Sequence, residues 1–205
     1  MQYYSQYGQD KFLFENFFIN KKEGFFLDIG AHDGVNGNNT FLFEKIGWSG
    51  VCIEPIPSVF EKLKKNRKCL LVNSAISNNN GEDDFLILEG YTEMLSGLIK
   101  NYNSQHLNRI ESELNTMGGS KKIIKCNTIT FNNLNLPKII DYVSLDVEGS
   151  ELEILKTINF ENHQINFISV ENNYNDKNIN NIMFENNFEI IINLGCDTIF
   201  KNKKI

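Results

Sequence analysis

Short continuous apolar runs alternate along this chain with longer stretches whose apolar positions recur at helical spacing. The runs Gly24–Ile29, Ser49–Glu54, Cys69–Asn73, Asp141–Asp146 and Ile165–Glu171 predict strands buried on both faces. Between them, Asn39–Ile46, Pro57–Asn66, Ser150–Ile158 and Lys177–Asn186 predict helices, and Gln9–Ile19 predicts another ahead of the first strand. Phe188–Asn193 and Asp197–Lys201 read as closing strands. Strands alternating with helices in this way predict an α/β fold with a mainly parallel sheet covered by helices on both faces.

One stretch breaks the rhythm. After the turn Asn78–Gly81 and a strand at Asp84–Leu88, the chain runs polar from Gly90 to Gly119, helical only over Ser104–Leu114, before a short extended piece at Ile123–Cys126. That is too long for a simple connection, and long loops in compact α/β units usually carry function. Residues 90–122 are therefore read as a substrate-side insertion after the third strand, and residues 1–22 as an N-terminal helical segment. With no repeat and no Pro/Gly/Ser-rich linker, residues 1–205 are expected to form one domain.

Charge narrows the partners. The net charge is −6 and the basic clusters, Lys62–Lys68 and Lys121–Lys125, are small, so no nucleic-acid partner is expected. The first cluster lies on a helix and reads as its solvated face. Cys52, Cys69, Cys126 and Cys196 are far apart in or beside apolar runs, which suits buried reduced thiols of a cytoplasmic protein. No apolar stretch approaches the ~18 residues of a membrane span.

The candidate chemistry lies at the strand ends. Asp28, Glu54, Asn73, Asp146 and Glu171 all fall at or near a strand C-terminus, where doubly wound sheets bind their ligands. The stretch Leu27–Thr40, LDIGAHDGVNGNNT, sets Asp28 just before Gly30 and Gly34 and lacks the GxGxxG of a dinucleotide site. An acid there would repel a pyrophosphate and favour a ligand carrying an ammonium and a sulfonium, such as S-adenosylmethionine (SAM). Glu54 ends the second strand, where a carboxylate can accept both ribose hydroxyls; NAD and SAM sites share that feature, so Asp28 makes the choice.

Together these residues resemble the FkbM family of SAM-dependent methyltransferases. The resemblance runs through Ser5-Gln6-x-Gly8-Gln9-Asp10, Phe26–Gly34, Gly47–Pro55, Asn73–Ser77, the specific stretch Leu145-Asp-Val-Glu-Gly-Ser-Glu151, and Ser169-Val-Glu171. It implies a Rossmann-like class I methyltransferase fold with a seven-stranded sheet. It also implies O-methylation of a sugar, either a nucleotide sugar or a glycan residue. The implied cofactor set is Gln6, Asp28, Gly30, His32, Gly34, Asn39, Thr40, Glu54, Pro55, Ser74, Ala75, Asp146 and Glu148. Gln6 would belong to an N-terminal segment closing over the cofactor.

An alkyl hydroxyl must lose its proton to attack a methyl group, to a base or with help from a metal. Tyr91–Gly97 and Tyr102-x-x-x-His106 resemble the family's substrate-side segment, and His106, Glu93 and Asp146 are the catalytic candidates. Asp146 on one strand end and Glu171-Asn172 on the next offer three oxygen ligands, suited to Mg²⁺, Mn²⁺ or Fe²⁺, and catechol-type O-methyltransferases are similar here. Glu151 and Glu153 read as helix-capping residues, with Ser150-x-x-Glu153 as a capping box. The competing readings are a lipid or polyketide hydroxyl as acceptor, an NAD-dependent oxidoreductase, a nucleic-acid methyltransferase lacking its Pro-Pro-aromatic run, and a SAM-fold module without activity.

Overall fold

A computed structural model describes residues 1–205. Its elements in chain order are α1 (Gln9–Leu13), β1 (Phe25–Ile29), α2 (Phe41–Lys45), β2 (Ser49–Ile53), α3 (Pro57–Asn66), β3 (Leu70–Val72), β4 (Ala75–Ile76), β5 (Gly81–Glu89) and β6 (Gly97–Leu98). They continue with α4 (Ser104–Met117), β7 (Ser120–Ile129), β8 (Ile139–Leu145), α5 (Glu151–Leu155), β9 (Gln164–Glu171), α6 (Lys177–Glu185), β10 (Phe188–Leu194) and β11 (Asp197–Asn202). The expected first helix is helical only over α1 and widens into a π turn over Phe14–Phe18.

The main sheet has seven strands in the order β10-β11-β9-β8-β1-β2-β3. β1, β2, β3, β8 and β9 run parallel, and β11 enters antiparallel between β9 and β10. This is the α/β, Rossmann-like class I methyltransferase arrangement that the sequence implies. Successive strand residues face opposite sides. Leu27 and Ile29 therefore join Ile154, Ile179 and Met183 on one face, while Phe26 joins Leu13, Phe43, Trp48 and Leu63 on the other.

The insertion is more ordered than its composition suggests. β5 and β7 pair antiparallel over nine positions, from Gly81 opposite Thr128 to Glu89 opposite Ser120. With β4 and β6 they form a second, four-stranded sheet. Phe85, Leu98 and Cys126 from this sheet pack against Ile56 and Val59 at the start of α3. Asn103 caps α4 by accepting from the His106 N–H at 2.8 Å, and Gly118, with φ +73°, ends it. The insertion thereby sits over the ends of β1, β2 and β8.

Candidate active site

A cleft of about 650 Å³, counted with its open mouth, lies between those strand ends and the segment Glu93–Leu98. Gly30 forms its floor. The Gly30 and Ala31 N–H groups donate to Ile53 O, and the Asp146 N–H donates to Ile29 O, so β1, β2 and β8 are tied together at this point. Gly30 has φ +87°, and a Cβ added to it would lie 1.7 Å from Asp146 O. Only glycine fits, and it lets the ends of β1 and β8 meet backbone to backbone.

Glu54 follows β2 and is buried. Its Oε2 accepts from the His32 N–H at 3.1 Å and its Oε1 from the Ile56 N–H at 2.7 Å. Burial pushes its carboxyl up to about 7 despite these two donors. Each oxygen keeps a lone pair for a further donor. His32 is held at φ +50°, and its Nε2 is buried without a hydrogen-bond partner, 4.0 Å from Glu93 Oε1. That orphaned nitrogen, the carboxylate of Glu54 and the apolar wall of Ile53, Ile56, Ala75 and Ile76 suit a nucleoside: a flat apolar face, a diol and further polar atoms.

Asp146 follows β8 and Glu148 lies two residues on, at φ +54° in a tight loop. Glu151 folds back to accept from the Val147 and Gly149 N–H groups at 3.0–3.1 Å and so fixes the loop. These donors precede α5, so Glu151 does not cap the helix; Ser150 accepts from Asn101 at 2.9 Å and Glu153 pairs with Lys156, so the expected capping box does not form either. The carboxylates of Asp146, Glu148 and Glu171 come together, with one oxygen from each lying within 4.8 Å of the others. Burial and mutual repulsion push all three carboxyls up, Glu148 to about 7.

Of the residues singled out from the sequence, Gly30, His32, Glu54, Pro55, Ser74, Ala75, Glu93, Asp146 and Glu148 line this cleft. Asp28 does not. Strand alternation turns it to the face opposite Ile29, where its Oδ2 accepts from Asn38 at 2.8 Å and Thr40 at 2.7 Å, with Arg67 Nη1 3.7 Å away. Gly34 and Thr40 belong to the same buried network: Arg67 donates to Gly34 O and to Thr40 Oγ1. Asn39 donates to Ser144 on that side of the sheet, and Gln6 is exposed beside Gly37. These five residues shape the loop from behind and do not line the cleft.

The acids that line the cleft are others. Glu54, Glu93, Asp146 and Glu148 line the cleft and no lysine or arginine does. A pyrophosphate would find no fixed positive charge there, only carboxyl groups that turn negative on ionisation.

Two further assignments change. His106 is fully enclosed, with Nδ1 2.8 Å from the Tyr174 hydroxyl and Nε2 3.2 Å from Leu95 O. The carbonyl requires Nε2 to carry the proton, so Nδ1 accepts from Tyr174 and neither nitrogen is free. Burial lowers its pKa, and it lies outside the cleft. His106 clamps α4 to the turn before β6 and to the loop after β9; it is not placed as a base. Asn172 accepts from the Asp176 N–H at 2.7 Å and donates to its carbonyl, and Glu148 joins Asp146 and Glu171 as a third carboxylate.

A family model described as methyltransferase FkbM domain matches residues 28–193. The chain belongs to the FkbM methyltransferase family. Among solved structures, a Streptococcus agalactiae protein described as of the NADB-Rossmann superfamily aligns over 98% of this chain and 69% of its own, at 11% identity and TM-score 0.49. A TehB-like SAM-dependent methyltransferase from Corynebacterium glutamicum aligns over 97% and 89%, at 9% identity and TM-score 0.45. The plantazolicin methyltransferase BpumL in complex with SAH aligns over 81% and 46%, at 13% identity and TM-score 0.37. No curated protein sequence matches. No helix of this FkbM methyltransferase is long and apolar enough to cross a membrane.

Arg67 was missed by the sequence reading, which placed it on a solvated helix face. It is buried, and it joins Asp28, Glu44, Gly34 and Thr40. Arg67 is the first residue beyond α3, in extended conformation, and it follows the buried positions Val59 and Leu63 at the same four-residue interval. Tyr174, which holds His106, had no comparable signal.

Proposed function

We propose that this SAM-dependent methyltransferase transfers its methyl group to a hydroxyl of a sugar, as a nucleotide sugar or a glycan residue. The observation that carries the reading is the group of three carboxylates, Asp146, Glu148 and Glu171, gathered where β8 and β9 end beside the donor cleft. Glu54 accepts the ribose hydroxyls, and Gly30 lets the methionyl portion lie against backbone. Asp146 and Glu148 face the ammonium and sulfonium charges.

The acceptor oxygen attacks the methyl carbon in line with the departing sulfur. The new C–O bond forms as the C–S bond breaks, SAM leaves as S-adenosylhomocysteine, and the hydroxyl proton passes to a carboxylate. A carboxyl raised to about 7 suits that task, because a base works best when its pKa lies near the working pH. Holding the two reactants in line supplies up to roughly 7–11 kcal/mol of the barrier reduction. Asp146 is the catalytic candidate we keep, because it lines the cleft within this group of carboxylates, while Glu93 stands opposite His32.

Asp146, Glu148 and Glu171 are also the oxygen donors that a Mg²⁺, Mn²⁺ or Fe²⁺ ion would use. Such an ion would lower the pKa of a bound hydroxyl.

The test is a product screen by mass spectrometry over glycosides and nucleotide sugars with SAM, with and without a chelator. A product heavier by one methylene and stable to conditions that cleave esters supports the reading. Methylation confined to a lipid or polyketide hydroxyl refutes the sugar assignment, and full activity after exhaustive chelation removes the metal.

A further inference from the structure

Two thiols meet behind the glycine loop. Cys52 lies on β2, fully buried, and Cys69 is half-buried one residue ahead of the neighbouring strand β3. Their Sγ atoms are 3.5 Å apart. Cys126 and Cys196 touch carbonyl and carboxylate oxygens and no other thiol. The close pair is joined to the buried network of the loop. Cys69 donates to Cys52, and Cys52 donates in turn to Asp28 Oδ2 at 3.9 Å. Two residues before Cys69, Arg67 pairs with Asp28 and Glu44 and donates to Gly34 O and Thr40 Oγ1. Between them the Lys68 N–H donates to Glu44 at 2.7 Å.

Two thiols in contact suit either a soft metal ion or a disulfide. A metal is disfavoured, because the buried Arg67 guanidinium lies 3.7 Å from the same Asp28 oxygen that Cys52 contacts and repels a cation. Thiol–disulfide exchange needs a thiolate as nucleophile. Burial pushes the Cys52 thiol well up, so it reacts only where its proton has a place to go. Asp28, whose carboxyl burial also raises, offers that place. Cys69, the less buried of the two, is the one an external reagent meets first. Where thiols are kept reduced, the disulfides that do form are usually transient and redox-sensing.

We propose that Cys52 and Cys69 are a dithiol site, oxidised to an intramolecular disulfide by a low-molecular-weight disulfide of the glutathione class, and that this bond weakens cofactor binding. The Cys69 thiolate attacks one sulfur of the external disulfide, whose S–S bond breaks; the thiolate released takes up the proton that Cys69 gave. Cys52 then attacks Cys69 Sγ in the mixed disulfide and passes its proton to Asp28. The second external thiolate leaves and collects that proton. The two cysteines are oxidised by two electrons together, and the external disulfide is reduced to two thiols. The new bond closes the 3.5 Å gap to ~2.0 Å. Asp28 thereby loses its thiol donor, and the segment Arg67–Cys69 is drawn toward β2. Gly34 and Thr40 are held by Arg67, so the loop that carries His32 into the cleft shifts with it.

The test equilibrates the full chain with oxidised and reduced glutathione over a range of ratios, alkylates the remaining thiols and maps them by mass spectrometry. Calorimetry then measures S-adenosylhomocysteine affinity for the oxidised and the reduced protein. A crosslinked Cys52–Cys69 peptide is expected, with Cys126 and Cys196 still open to alkylation. Affinity for S-adenosylhomocysteine is expected to fall about tenfold on oxidation and to return with dithiothreitol. Cys69→Ser, a change at a half-buried position, should keep the affinity of the reduced protein and lose the response to oxidised glutathione. Cys52 and Cys69 both alkylated at every ratio, or glutathione retained on Cys69 as a mixed disulfide, would overturn the dithiol site. A crosslinked protein that binds S-adenosylhomocysteine as tightly as the reduced one would overturn its effect on the cofactor.

Discussion

The carboxylate of Asp28 and the guanidinium of Arg67 lie 3.7 Å apart, both buried, behind the glycine loop and on the face of the sheet away from the donor cleft. Arg67 also pairs with Glu44 and donates to Gly34 O, so one side chain ties α3 to α2 and to the turn that bears His32. The acid that the motif places before the glycines thus ties the loop from behind and does not line the cleft.

Removing one partner of such a pair strands the other charge away from water. Arg67→Met should cost about 3–5 kcal/mol of stability, measured as a shift in the urea unfolding midpoint. The double variant Asp28→Asn/Arg67→Met should recover part of that loss, because the buried Asp28 charge is gone while Glu44 still lacks its partner. A single variant as stable as the parent would show that the pair does not anchor the loop.

Gly30→Ala meets the Asp146 carbonyl at 1.7 Å and a backbone angle of φ +87°. The strand ends must separate to admit the methyl group. Loss of S-adenosylhomocysteine binding is expected together with a lowered melting temperature, read by calorimetry and thermal unfolding. Gly47→Ala supplies the contrast: it shares a positive φ but meets nothing within 4 Å, and it should bind normally.

His106→Ala leaves Leu95 O and the Tyr174 hydroxyl without their partner. A stability loss of about 2–4 kcal/mol is expected from the emptied space and the unpaired groups. The pH profile of kcat should keep its shape, since His106 is not the base. A profile that loses one ionisation in the variant would restore His106 to the chemistry.

Glu54 holds its proton in the folded ligand-free protein up to about pH 7, whereas the unfolded chain releases it near the ordinary 4.5. Within that window the native state binds more protons, so stability falls as pH rises. The difference amounts to about 3 kcal/mol for Glu54 alone, at about 1.4 kcal/mol per pKa unit. Urea midpoints should therefore decline from pH 5 to pH 8, and Glu54→Gln should flatten the decline. A midpoint that rises with pH over this range would contradict the burial of these acids as carboxyls.

The sequence was most informative where burial was two-sided. Phe25–Ile29, Val51–Ile53 and Val143–Leu145 are nearly unbroken apolar runs because both faces of the sheet are covered, and each was located from that alone. The insertion hid its order for the opposite reason. The outer halves of its long ladder, Gly81–Asp84 and Ser120–Lys122, are polar and largely exposed, so they leave no alternation to read. In the site, Glu54 and Asp146 were legible because a strand end fixes where an acid sits. The facing of Asp28 was not, because it depends on the register of Leu27 and Ile29 against the two cores. The turn that Asn172 makes with Asp176 was not legible either, because such a local amide–backbone bond leaves no spacing signal of its own.

The central claim is that the acid-lined cleft receives SAM and rejects a dinucleotide. Calorimetric titration of the protein with S-adenosylhomocysteine and with NAD, in parallel with Glu54→Gln, tests it most directly. The account predicts one tight site for S-adenosylhomocysteine, weakened about tenfold or more in Glu54→Gln, and no heat from NAD. Binding of NAD with none of S-adenosylhomocysteine, or an affinity indifferent to Glu54, would contradict it.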